Sequence, residues 1–152
     1  SSYSPDPLPE LGEHRIRLGL VPHAGAPSEA DLARWGAALN HPLLTVATDV
    51  HPGDRAPRGA AIRRIEPSSA VLTAVKRAEE SDDLIFRFLE TAGRASTLVV
   101  GLDETLLGSP AEASAVDLLE RPVTGVAVRL AGDGFEADLK PWALTGVRVR
   151  FR

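Results

Sequence analysis

The chain has 152 residues, 43% hydrophobic and 25% charged, with a formal net charge of -4. That balance allows one sizeable core or at most two very small domains, and it excludes a disordered chain and a basic nucleic-acid binder. Cysteine is absent, which excludes disulfides and thiolate metal sites and fits a reducing, cytoplasmic compartment.

The start, SSYSPDPLPELG, is rich in proline, begins on Ser1, and belongs to a chain without methionine. Residues 1–12 read as a linker or extended segment, and the whole as a piece of a longer protein. No signal-peptide pattern opens it, and no apolar run approaches the roughly 18–20 residues a membrane span needs. HRIRLGLV, 14–21, is partly alternating and stopped by Pro22, which predicts an edge or terminal strand. SEADLARWGAALN predicts a helix. Ser28 is the N-cap, acids fill the first turn, Leu32, Trp35 and Leu39 recur at helical spacing, and Asn40 closes it before Pro42. LLTVATDV, 43–50, predicts a strand, and HPGDRAPRGA after it a loop.

From there the pattern is β throughout. AAIRRIE, VLTAVKRAE, DLIFRFLET, ASTLVVGLD, ASAVDLLE, TGVAVRLA, FEADL and GVRVRFR are short apolar or alternating runs separated by polar turns. The last run alternates strictly, with Val147, Val149 and Phe151 on one face and arginines on the other. VLTAVKRAEESDDLIFRFLET, 71–91, admits both a helix and two strands around Ser81-Asp82-Asp83. Strand patterns on both sides favour the hairpin. The predicted fold is mainly β: one antiparallel β-sandwich domain over 1–152, with one short helix near its N-terminus.

Several motifs invite chemistry and do not sustain it. VVGLDETLLGS resembles the strand end of an aspartyl phosphatase, but Gly101 stands where the nucleophile is needed and only Asp103 remains. GDGFEA matches a glycine-rich dinucleotide loop, but Pro141 arrives too soon for the helix that would hold a pyrophosphate, so a hairpin turn is expected. His14, His23, His41 and His51 fit no zinc spacing. Lys76 and Lys140 are the only lysines, and the arginines are scattered among acids, as on a solvated mixed-charge surface. No catalytic residue and no metal ligand is assigned.

Taken in series, five stretches resemble the C-terminal region of glycoside hydrolase family 38, the α-mannosidases. They are Gly12-x-His14 leading to Pro22-His23-x-Gly25; Arg34 with Leu39-Asn40-x-Pro42; Leu72-x-Ala74-x-Lys76, an acidic turn, and Arg87-x-x-Glu90; Asp117-Leu118-Leu119-Glu120; and the closing LKPWALTGVRVRF. The last departs from the family pattern, with Thr145 one place early and Gly146 in the usual threonine position. The resemblance implies a β-sandwich that packs against an N-terminal catalytic barrel elsewhere on a longer multidomain glycosidase. The aspartate nucleophile, the zinc and the mannoside would be held there, and this chain alone would be inactive. Its implied partners are the rest of its own chain and, through it, mannosides; no nucleic acid and no membrane. Lys76 and Arg87, long cations on adjacent strands, are the candidates for reaching a cleft or interdomain face. The alternative is that they brace the sheet by pairing with Glu79 or Glu90. A free-standing carbohydrate- or protein-binding sandwich is the other reading. It calls for exposed aromatics, and Trp35 and Trp142 both look more like core.

Overall fold

The computed structural model describes residues 11–53 and 58–152; residues 1–10 of the expected linker and 54–57 of the expected loop lie outside them. The element order is α1 (Glu29–Asn40), β1 (Ile62–Glu66), β2 (Ala70–Arg77), β3 (Leu84–Glu90), β4 (Ser96–Leu102), α2 (Glu104–Leu107), β5 (Pro110–Val116), β6 (Val128–Ala131), β7 (Gly134–Leu139) and β8 (Leu144–Phe151). The strands form two antiparallel four-stranded sheets, ordered β1-β4-β7-β6 and β2-β3-β8-β5. Together they make the predicted sandwich. β1 and β2 are the edge strands on one side, and β5 and β6 on the other.

Alternation fixes which side chains enter the core. Leu84, Phe86 and Phe88 of β3 stand opposite Val149, Val147 and Thr145 of β8, and all point inward. They meet Leu98, Val100, Phe135, Ala137 and Leu139 of the other sheet. The Phe135 ring lies 5.6 Å from Phe86 and 6.2 Å from Phe88, in tilted and edge-on arrangements. Such aromatic pairs contribute about 0.5–1.5 kcal/mol beyond the area they bury.

The stretch 71–91 is a hairpin. β2 and β3 pair from Ala70↔Glu90 to Arg77↔Leu84, and Ala78 N donates to Asp83 O at 2.8 Å across the polar turn. The GDG segment is a turn as expected. Gly132 and Asp133 link β6 to β7, and the Cβ that an alanine would bring at Gly134 lies 1.9 Å from Val100 O. α1 carries a full capping box, with Ser28 and Asp31 bonding each other's backbone N–H.

Several expectations need correction. Residues 14–21 and 43–50 are not strands; they run without ladder partners, and Leu20 is 97% and Leu44 92% exposed. Their apolar pattern specifies a face to be buried, but among the described residues no strand forms a ladder with them. Residues 117–120 leave the sheet, because β5 ends at Val116, and residues 124–127 precede β6. Nor is the Leu32, Trp35, Leu39 stripe of α1 turned to the core. Trp35 stacks on His23 at 5.6 Å, Leu39 lies against Gly19, and the one buried residue of the helix is Ala30, while Ala33 and Ala37 line an open cleft beside β2.

Candidate functional site

Lys76 and Arg87 share the outer face of the β2-β3-β8-β5 sheet. Lys76 stands opposite Ile85, and Arg87 opposite Ala74 and Gly146, with Arg148 beside Ile85 and Ser114. A strap formed by residues 117–121 crosses this face. Asp117 shapes it: its side chain accepts from the amides of Leu119 and Arg121 and from Arg121 Nε.

The sheet's cations hold the strap down. Lys76 Nζ donates to Glu120 Oε1 at 2.7 Å, and Glu79 N donates to Glu120 Oε2 at 2.9 Å. Arg148 donates to the Glu120 carbonyl at 2.9 Å, and Arg87 to the Leu118 carbonyl at 3.1 Å. Lys76 also pairs with Glu79, as one expected alternative had it. Among the described residues Arg87 forms no ion pair. Glu120 itself is buried at φ 63°, a left-handed conformation unusual outside glycine. The Lys76 hydrogen bond holds the Glu120 carboxyl below its ordinary range, and the reverse pull raises Lys76.

Glu90 was the other expected partner of these cations, and it does not reach them. It lies three residues from Arg87, so the alternation turns it to the opposite side. There it is fully buried, and its oxygens accept from the amides of Ala92 at 2.9 Å, Gly93 at 2.7 Å, and Arg94 and Trp142, both at 3.2 Å. Burial pushes the Glu90 carboxyl up; the amides of Ala92, Trp142 and Arg94 and the Ser69 hydroxyl more than offset it and bring it to about 2. One carboxylate therefore ties the β3–β4 loop to the β7–β8 turn.

Trp142, on that turn, corrects the expectation of a core residue: it is 62% exposed and sits at φ 57°. Backbone of this kind costs a bulky residue about 1–3 kcal/mol.

Asp103, left over from the failed phosphatase motif, is structural. It caps α2 through Thr105 N at 2.9 Å and pairs with Arg63 at 2.8 Å; the Thr105 hydroxyl and Arg63 bring its carboxyl down to about 2. Among the described residues no three His, Asp or Glu side chains converge as a metal site, so they do not fit a zinc ion. Sequence reasoning named Lys76 and Arg87 but passed over Glu120, Arg148 and Trp142 as site residues. The only signal for Glu120 was its place in Asp117-Leu118-Leu119-Glu120.

Residues 69–145 fit the model of the glycosyl hydrolases family 38 C-terminal beta sandwich domain. No curated protein and no solved structure matches the chain. The matched stretch runs from the residue before β2 into β8 and holds Lys76, Arg87, Glu90, the strap and Trp142.

Proposed function

Because the chain belongs to glycosyl hydrolase family 38 through its C-terminal β-sandwich domain, we propose that it is the non-catalytic C-terminal domain of a cytoplasmic α-mannosidase. It packs against a catalytic barrel of the same longer chain, and that barrel carries the zinc and hydrolyses the mannoside. The observation that carries this reading is the state of residues 14–21 and 43–50. Both are strand-patterned in sequence but form no strand, and Ile16, Leu18, Leu20, Leu43, Leu44 and Val46 stand in water. Burying one such side chain is worth about 1.5–3 kcal/mol, so a surface of this kind is suited to being covered.

The cations divide between two roles. Lys76 is committed to Glu79 and Glu120 and braces the strap. Arg87 grips the strap only through a carbonyl and keeps a charge that no described carboxylate neutralises, so it is the better candidate for the interdomain face.

The test uses the longer enzyme. Leu18→Asp with Leu44→Asp is expected to lower its melting temperature and its turnover of an aryl α-mannoside, while the melting of the 152-residue chain is unchanged. Unchanged turnover and melting of the longer enzyme would remove the packing role.

A further inference from the structure

Trp142 occupies a place that stability alone does not account for. A large indole stands mostly in water on a left-handed residue, in a turn held by a buried carboxylate. The Glu90 carboxylate fixes both sides of the feature, Ala92 to Arg94 on one loop and Trp142 on the other. The indole is seated on Gly93: a Cβ there would lie 2.6 Å from Cε2 and Nε1 and 2.7 Å from Cζ2 of Trp142. A glycine at φ 68° therefore makes the seat, and no other residue type fits it. The ring is positioned and yet left open to solvent.

We infer that Trp142 is an aromatic platform for a pyranose ring, with Arg94 and Lys140 as flanking donors to its hydroxyls. This rests on the reading that the longer enzyme handles mannosides. An indole offers a flat apolar face to the C–H face of a sugar, and its orientation cost is already met by the fixed turn. Arg94 and Lys140 are exposed and, among the described residues, enter no ion pair. Their donors are available to hydroxyl oxygens.

A protein partner is the competing occupant, and the surroundings disfavour it. Interface anchors lie in an apolar setting that excludes water. The neighbours of Trp142 along the two loops are Gly93, Arg94, Lys140, Pro141 and Ala143, two of them cationic and none of them large and apolar. The nearby cleft, with a volume of about 300 Å³, is walled by Leu118, Val123, Val126 and Leu144 together with Lys140 and Ala143, and Trp142 is not among its walls.

The experiment is saturation-transfer NMR on the 152-residue chain with a mannotriose at millimolar concentration. Saturation is expected at the ring protons of one sugar face, with a matching shift in tryptophan emission. Trp142→Ala weakens binding about two- to tenfold, the range of a lost aromatic contact, whereas Trp142→Phe retains most of it. Arg94→Ala and Lys140→Ala, which leave the Glu90 anchor intact, weaken it with melting unchanged, and Trp35→Phe changes nothing. No saturation in the wild type, or binding by Trp142→Ala as tight as that of the wild type, overturns the inference. So does a Trp142 emission that responds only to the rest of the longer enzyme. Mannoside hydrolysis by the longer enzyme without sugar binding here sinks the platform and leaves the domain assignment standing.

Discussion

Lys76 and Glu120 lie 44 residues apart in sequence and meet at 2.7 Å, joining the hairpin of β2 and β3 to the strap that crosses it. Lys76 is one-third exposed and Glu120 buried, so the pair sits at the boundary between sheet and solvent. Its effect is local: it fixes where Leu118 and Leu119 are displayed. Glu120→Gln is expected to speed hydrogen exchange at the Leu119 and Arg121 amides while amides of β4 and β7 keep their protection. Uniform loss of protection over both sheets would contradict a local role. The pH dependence has two limits. Glu120 has a lowered carboxyl, so its contribution is complete above the ordinary glutamate range and fades as the pH falls below it. Lys76 has a raised ammonium, so its contribution is lost only as strongly alkaline pH passes its folded value.

Glu90 sets the acid response of the other anchor. Its carboxyl falls from an ordinary 4.5 to about 2 in the folded chain, so the folded state holds the carboxylate more strongly than the unfolded one. Stability from this group is present above about pH 4.5 and is lost as the pH falls towards 2. Glu90→Gln is expected to lower the melting temperature at neutral pH and to flatten the drop between these limits. A melting curve over that range indistinguishable from wild type would contradict it. Asp103, also near 2, keeps part of the acid slope in the variant.

Phe135 is the centre of the sandwich, fully buried and touching both Phe86 and Phe88. Phe135→Ala is expected to cost about 3–5 kcal/mol in urea unfolding. Gly134→Ala next to it meets Val100 O, a backbone atom that cannot swing aside, so it too destabilises. A loss below about 1 kcal/mol for Phe135→Ala would mean that the two sheets do not share this core.

What the sequence made legible is what neighbours in sequence decide. The Ser28 N-cap of α1 acts within one turn, the β2–β3 hairpin follows from alternation around an acidic turn, and the inward set Val147, Val149, Phe151 is written in period two. The strap was not legible, because it depends on Lys76, Arg87 and Arg148 meeting residues 28 to 44 positions away. The Glu90 anchor left no pattern either: its partners are backbone amides, which every residue type but proline supplies. Trp142 was misread for a related reason, since its exposure follows from a left-handed turn rather than from its own hydrophobicity. The segments 14–21 and 43–50 failed differently. Their alternation is real, but a strand needs a partner that the described residues do not provide.

The division of labour between this domain and a catalytic barrel is the central claim, and a direct assay reaches it. The purified 152-residue chain, supplied with zinc, is incubated with an aryl α-mannoside beside the longer enzyme that contains it. The account predicts release of the aryl group by the longer enzyme and none by the chain alone. Hydrolysis by the 152 residues themselves would contradict it.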